Sequence, residues 1–281
     1  MQKNYDSLKA DLHLHTFFSD GKLSPEELIR KAKLSGIDTL SITDHDSVEG
    51  VEEAMHYGKL HDIEIIPGVE LSSEYKGQEV HVLGYFMDYK EPRFLEYLSS
   101  FRAKRLMRAE KIVERLNSMN IKITIKDVLS KTLGNASIGR PHIAFALMAA
   151  NVVSNYNEAF FKYLGDNKPA FVKKPNIGTS DAVKLITESG GLSFIAHPGK
   201  TIRDNLIIEL IEQGVDGIEI IHPSHTRDDI GYFLDITGQY FLLESGGSDF
   251  HGGRMNDDSI FGNYYIPVSK VNAMKNRLFS N

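Results

Sequence analysis

The sequence predicts an α/β barrel interrupted by an all-helical segment, and two observations carry that prediction. Short apolar runs alternate with amphipathic stretches from Lys9 to about Phe86 and again from about residue 180 to Glu244. Between residues 91 and 170 the strand pattern vanishes and only three- and four-residue apolar spacing remains. A chain of 281 residues has room for one large domain or two ordinary ones. The expected division is a first barrel part at 1–90, a helical insertion or cap at 91–170, and a second barrel part at 171–281.

The first strand is the run Ala10–His15. Ser24-Pro25-Glu26-Glu27 then starts a helix, with Ser as N-cap, Pro at the first helical position and acids in the first turn. That helix puts Leu28, Ile29 and Ala32 on one face and stops at Gly36. Thr39–Thr43 reads as the second strand and Val48–His61 as the second helix. Ile63–Ile66 is a third strand continuing toward Glu70, and Val80–Tyr85 a fourth after the Lys76-Gly77 turn. Strand–helix alternation predicts parallel pairing with right-handed crossovers. Leu95, Leu98, Phe101, Ala109, Ile112, Leu116 and Met119 define one long amphipathic helix. Shorter helices follow around 126–132, 141–150 and 156–164. The barrel rhythm resumes with a helix at 180–189, a strand at Leu192–Ala196, a helix near 205–213, a strand at Gly217–Ile221, a helix at 226–237 and a strand at Phe241–Glu244.

Composition excludes several function classes. With 32 basic and 38 acidic residues the net charge is −6, which argues against coating of long nucleic acid. Cysteine is absent, so disulfides, zinc ribbons, iron–sulfur clusters and thiol nucleophiles are excluded together. Any metal must bind through His, Asp and Glu, and the chain has 11 histidines. The segment MQKNYDSLKA has no apolar signal core, and no run approaches the roughly 18 apolar residues of a membrane span. A cytoplasmic protein is expected, with no membrane and no obligate protein partner.

His13-Leu14-His15 is the strongest local signal, because residues i and i+2 of a strand share a face and two imidazoles there can share a metal. Ligand-type residues then recur just after apolar runs. Thr39–Thr43 leads into Asp44-His45-Asp46, the third strand into Glu70, Leu192–Ala196 into His197, and the last strand toward Asp249-Phe250-His251. His81 lies within the fourth strand, where a satisfied core histidine is the competing reading. In a parallel β/α barrel such points converge on one rim, where these folds keep their chemistry. The convergent set is His13, His15, Asp20, His45, Glu70, His81, His197, Asp249 and His251. Nine groups suit two or three ions that share a bridging carboxylate.

The stretches ADLHLHT, SDGKLSPEELIRKAKLSGIDTLSITDHDSVEG, IPGVELSSEYKGQEVHVLGYF, SIGRPHIA, YLGDNKPAFV, GGLSFIAHPGK, GVDGIEIIHPSHT and GGSDFHG resemble those of the PHP (polymerase and histidinol phosphatase) superfamily. They are most similar to its branch of small bacterial phosphoesterases acting on 3′,5′-nucleoside bisphosphates and short RNA. The resemblance implies a distorted (β/α)7 barrel with a trinuclear metal centre. It assigns His13, His15, Glu70 and Asp249 to a first ion, Glu70 as a bridge to a second completed by His81 and His197, and Asp20, His45 and His251 to a third. Manganese is the first expectation for these ions, with iron or zinc as alternatives. The implied reaction is hydrolysis of the 3′-phosphate of a 3′,5′-nucleoside bisphosphate by a metal-bridged hydroxide, with Glu70, Asp249 and His222 in the catalytic set. Competing readings are a 5′-3′ exoribonuclease on short RNA, a cyclic-phosphate diesterase, a histidinol-phosphate phosphatase and, from another class, a non-catalytic metal-binding regulatory module.

A substrate with two phosphates needs cationic groups away from the metals. Arg140 and His142 stand near a helix start at Pro141, and the resemblance gives this motif a part in phosphate recognition. His222 and His225 follow the 217–221 strand and are further substrate candidates. The long helix carries Arg102, Lys104, Arg105, Arg108, Lys111 and Arg115 against Glu110 and Glu114 only. Such a run ordinarily marks a solvated face. Arg105 stands apart because it occupies the apolar stripe, either snorkelling past the core or reaching the cleft to meet an anion. Lys173-Lys174-Pro175 reads as a basic linker, with contact to substrate the competing reading, and His56 and His61 as surface residues. Gly246-Gly247 is expected to give the tight backbone that aims Asp249 and His251 inward.

Overall fold

The computed structural model describes residues 5–132, 136–199, 202–253 and 257–279. Lys200, the last residue of the GGLSFIAHPGK motif, lies outside them. Strand β1 (Lys9–Leu14) is followed by α1 (Pro25–Leu34), whose Ser24 hydroxyl accepts from the Glu27 amide while the Glu27 carboxylate accepts from the Ser24 amide. Then come β2 (Thr39–Ile42), α2 (Val51–His61), the long β3 (Glu64–Tyr75) and β4 (Gln78–Tyr85). The helical segment comprises α3 (Pro92–Ser118), α4 (Ile125–Leu129), α5 (Arg140–Ala149) and α6 (Tyr156–Ala159), which continues as a π-helical turn at Phe160–Leu164. The barrel resumes with β5 (Ile177–Gly178), α7 (Thr179–Glu188), β6 (Leu192–Ile195), α8 (Asn205–Ile211), β7 (Gly217–Ile221), α9 (Arg227–Tyr240) and β8 (Leu243–Gly246), and ends with β9 (Ile266–Pro267) and α10 (Val268–Phe279).

The sheet runs β8-β7-β6-β4-β3-β2-β1-β9, with β5 beside β3. A bridge between Leu14 and Phe250 brings the chain after β8 back to β1, which nearly closes the barrel. The pairing is mixed, and this corrects the all-parallel expectation. β3 and β4 form an antiparallel hairpin, because two residues, Lys76 and Gly77, join them and a crossover helix has no room there. β4 is also antiparallel to β6. A second correction concerns β8: α9 runs to Tyr240 and ends on a left-handed Phe241, so the strand starts at Leu243 rather than at Phe241. β9 and α10, which no sequence signal marked, pack Ile266, Val268, Val271 and Met274 against Ala10 and Leu12.

Two kinds of apolar cluster hold the molecule. Inside the barrel wall, Val69, Val82, Ile195, Ile218 and Phe233 belong to one continuous core. The helices between 109 and 172 bury Ile112, Leu116, Ile143, Leu147 and Leu164 around a core of their own. Among the described residues no helix is long and apolar enough to cross a membrane.

Candidate metal centre

The nine ligand-type residues meet at one end of the barrel. His13 and His15 project inward from β1 and are fully buried. The closing segment delivers the next group, since the Asp249 amide donates to His13 O at 2.8 Å and the His15 amide to Phe250 O at 3.0 Å. Gly247 makes this approach possible: a Cβ there would lie 2.4 Å from the His13 amide nitrogen. The tight backbone expected at Gly246-Gly247 is thus a matter of close contact with β1, with neither glycine at positive φ. His197 and Asp249 do occupy the left-handed region, at φ 25° and 50°, directly after β6 and β8. Non-glycine residues held there store strain that the surrounding structure must sustain.

Glu70 is the hub. Its Oε1 lies 2.7 Å from His81 Nδ1 and 3.0 Å from His197 Nε2. Its Oε2 lies 2.9 Å from His45 Nδ1 and 3.4 Å from Nε2 of both His13 and His15. Asp249 Oδ1 stands 2.9 Å from His15 Nε2 and 3.3 Å from His13 Nε2. Asp20 completes the far side, 3.4 Å from His251 and 3.9 Å from His45. Four overlapping sets have donor atoms within 4.8 Å of one another: His13, His15 and Asp249; His13, Glu70 and His197; His45, Glu70 and His81; and His15, Asp20, His45 and His251. His13, His15, His45 and Glu70 therefore each belong to two sets.

This donor set fits divalent cations. His13 Nε2, His15 Nε2, His45 Nδ1 and Glu70 Oε2 are buried without a hydrogen bond among the described residues, although all four face the cluster. Buried polar atoms so left carry a cost that a shared cation removes. Electrostatics agree. Burial alone would raise the Glu70 carboxyl, yet His45, His81 and His13 hold it well below the usual range. Burial lowers His81 and His251, but Glu70 and Asp20 respectively outweigh it and lift them to about 9 and about 10. At His45 burial prevails and brings the ring down to about 4.

Further carboxylates around the cluster hold its histidines and the adjoining loops in place. Glu219, fully buried on β7, lies 2.9 Å from His13 Nδ1 and accepts from the His197 amide at 2.7 Å. Glu79 stands 3.0 Å from His81 Nε2 and is itself paired with Lys174 at 2.7 Å. Asp44 gathers the 16–19 turn, accepting from the Thr16 amide at 2.8 Å and from the Thr16 and Ser19 hydroxyls. Asp11 accepts from the Ser248 amide at 2.9 Å and its hydroxyl at 2.6 Å, and burial raises its carboxyl to about 7.

A cleft of about 420 Å³ opens above this floor, with Arg105, Arg108, Arg140, Lys174, Tyr156 and Phe160 on the opposing wall. Arg105 does reach the cleft, but its guanidinium is engaged: Nε donates to Asp46 Oδ2 at 2.9 Å and Nη1 to Ile138 O at 3.1 Å. Arg140 pairs with Asp166 at 2.7 Å and lies over the Phe160 and Phe171 rings. Arg108 is buried, donates through Nε to Val172 O at 2.8 Å, and has no carboxylate at ion-pair distance among the described residues, Glu79 and Asp166 acting on it only from farther away. Its neighbours Arg140 and Arg105 reinforce burial in pushing it down to about 10.

The remaining substrate candidates lie behind the wall or below the floor. His142 is buried, accepts from the Gly139 amide at 3.0 Å and caps α5 instead of lining the cleft. His225 receives the Gly199 amide at 3.1 Å and donates to Ile220 O at 2.8 Å, so both ring nitrogens serve the fold. His222 lies 3.3 Å from Asp249 Oδ2 and 2.7 Å from the Ser224 hydroxyl.

Sequence reasoning passed over Glu219 and gave Arg108 and Lys174 to a solvated helix face and a basic linker. Arg108 shares the 101, 105, 108, 112 spacing of the buried stripe, a signal that was available. Lys174 lines the cleft and is not a solvated linker, because Glu79 draws it inward. Glu219 is a charge between Ile218 and Ile220 of a buried strand, which is itself a marker of a polar task.

The PHP domain profile matches residues 11–163, more than half of the chain. The chain belongs to the PHP family. Over 249 residues this PHP protein is 36% identical to a 5′-3′ exoribonuclease of Haemophilus influenzae, covering 86% of this chain and 90% of that one. It is 34% identical over 253 residues to a 3′,5′-nucleoside bisphosphate phosphatase of Chromobacterium violaceum, covering 87% and 89%. Among solved structures, a Bifidobacterium adolescentis chain described as a metal-dependent phosphoesterase superposes with a TM-score of 0.89 at 29% identity, over 96% of both chains. The protein is accordingly a metal-dependent phosphoesterase of the PHP family, and the α/β barrel expected from its sequence is the fold it adopts.

Proposed function

We propose that this phosphoesterase hydrolyses the 3′-phosphate of 3′,5′-nucleoside bisphosphates with two or three divalent ions, manganese first among them. The observation that carries the reading is Arg108, a buried guanidinium with no carboxylate at ion-pair distance among the described residues, on the wall facing the carboxylate–histidine floor. A second anionic group on the substrate supplies the partner it lacks. Arg140 adds charge beside it, and Tyr156 and Phe160 offer ring faces for a nucleobase. The 91–170 segment thus serves as a cap that receives the part of the substrate remote from the reacting phosphate.

On the floor, His13, His15, Glu70, Asp249, His81 and His197 would hold two of these ions, and Asp20, His45 and His251 would hold a third. Bound divalent ions supply Lewis-acid polarisation of a phosphoryl group and make water acidic enough to react near neutral pH. The protein's own part is placement. Asp249 is braced by His222, Glu70 is braced from both oxygens, and the cap cations fix the distal end of the substrate so that its 3′-phosphate meets the floor.

A second reading, cleavage of short RNA from its 5′ end, has support from the relative named an exoribonuclease at 36% identity. Steady-state kinetics of the manganese-loaded protein on 3′-phosphoadenosine-5′-phosphate, a short 5′-phosphorylated oligoribonucleotide and histidinol phosphate separate the cases. The highest kcat/KM is expected on the bisphosphate. Preference for the oligoribonucleotide would transfer the assignment to the second reading, and preference for histidinol phosphate would defeat both.

A further inference from the structure

We infer that Glu219 is a positioning residue that holds two metal ligands in register, His13 through its ring and His197 through its backbone. The inference rests on the metal-centre reading above and adds a residue outside the nine. Glu219 lies in the middle of β7, fully buried between Ile218 and Ile220, where an ionised carboxylate is costly unless every oxygen is engaged. Both are. Oε1 lies 2.9 Å from His13 Nδ1, and Oε2 accepts from the His197 amide at 2.7 Å.

Each contact fixes something a cation would feel. A carboxylate can only accept, so it keeps the hydrogen on His13 Nδ1 and leaves Nε2 for the cluster, 3.4 Å from Glu70 and 3.3 Å from Asp249. The His197 backbone sits at φ 25°, a conformation that a non-glycine residue keeps only under restraint. The bond from its amide is such a restraint, and it leaves His197 Nε2 aimed at the other oxygen of Glu70, 3.0 Å away. The two rings flank Glu70 in a stacked pair, with centroids 5.6 Å apart and planes at 23°. One side chain on β7 thereby registers a ligand from β1 with a ligand from the end of β6.

A carboxamide cannot replace it. Glu219→Gln leaves one acceptor oxygen where two are needed. If the amide NH2 faces His13, the ring hydrogen must move to Nε2, the nitrogen a cation needs; if it faces His197, two donors oppose each other. Glu219→Asp keeps the charge but is one methylene too short to span both contacts.

The test uses the full chain, stripped of metal by chelation and titrated with manganese by calorimetry. Thermal unfolding serves as the fold control, and imidazole nitrogen NMR of the stripped protein reports on His13. Both variants are expected to bind manganese ten- to a hundredfold more weakly than wild type, with His13 resonances displaced in Glu219→Gln. Wild-type affinity in the variants together with unchanged His13 resonances would overturn the inference. Should Glu219→Gln unfold without cooperativity, Glu219→Asp decides on affinity alone. If the wild-type protein itself takes up no manganese, iron or zinc, the metal-centre reading fails, and this inference with it.

Discussion

Arg105 and Arg108 are three residues apart on α3, and what surrounds them gives them different duties. Arg105 is locked to Asp46, and the Ser72 hydroxyl joins the same network. Arg105→Ala leaves the buried Asp46 carboxylate with Ser72 hydrogen bonds but without its ion pair, so a loss of about 3 kcal/mol in unfolding free energy is expected from denaturant titration. A variant as stable as wild type would show the pair to be dispensable. Among the described residues Arg108 has a hydrogen bond to a backbone carbonyl and no close ion pair. Arg108→Ala is expected to raise KM for a nucleoside bisphosphate by about tenfold or more, the worth of a charge-assisted hydrogen bond. KM for a substrate with one phosphate should be little changed, and an equal rise on both would remove Arg108 from recognition of the second anion. The histidines that meet in the cluster were legible in the sequence because β1, β2 and β6 present them at or just after strand ends by local rules. The roles of Arg108, Lys174 and Glu219 were not, since each depends on a partner 64 to 206 residues distant. Local spacing carries no record of such a meeting.

At the scale of elements, the register between β8 and β1 decides where Asp249 sits. A methyl group on Gly247 would press on the His13 backbone and on Asp11 Oδ1. Gly247→Ala is expected to cost about 1–3 kcal/mol by overpacking and to weaken manganese binding as Asp249 shifts. Gly231→Ala is the contrasting control. It lies within α9 with nothing within 4 Å of the added carbon, and should stabilise by about 0.4–1 kcal/mol. Thermal melts and metal titration of the two variants side by side check both statements; matching behaviour would refute the argument from close approach. Element positions were largely readable, with β7 found to the residue and α3 recognised as one long helix. The antiparallel β3–β4 hairpin was overlooked although its two-residue turn was seen, because the β/α rhythm around it argued for parallel pairing. β9 and α10 went unread: a two-residue strand has no periodicity to detect, and its place beside β1 is a tertiary fact.

The molecule as a whole carries −6, yet it collects cations on one wall of its cleft and carboxylates on the floor. Protons and metal ions compete for that floor. His81 and His251, raised to about 9 and about 10 by Glu70 and Asp20, hold protons at neutral pH that an entering cation must displace. Metal affinity therefore rises with pH through the neutral range. Manganese at a hundred times its dissociation constant adds about 2.7 kcal/mol of stability. The rise in melting temperature on adding a fixed manganese concentration to stripped protein should be larger at pH 8 than at pH 6, and a pH-independent rise would contradict the proton competition. The fold class was readable at this scale because the two β/α rhythms and the strand-free stretch between them are long patterns that no single contact decides.

The Arg105–Asp46 lock has one more consequence, for turnover. It ties α3 to the segment just after β2, and Arg102 adds a tie to Glu49 close by. A helical layer that swung outward between catalytic cycles would have to break a buried ion pair each time, at a cost of several kcal/mol. With the proposed function, the layer would thus act as a standing wall and not as a lid. On the proposed function, substrate would enter and product leave by the mouth of a preformed chamber, and the length of molecule accepted would be set by the distance between floor and wall rather than by how far a hinge can open.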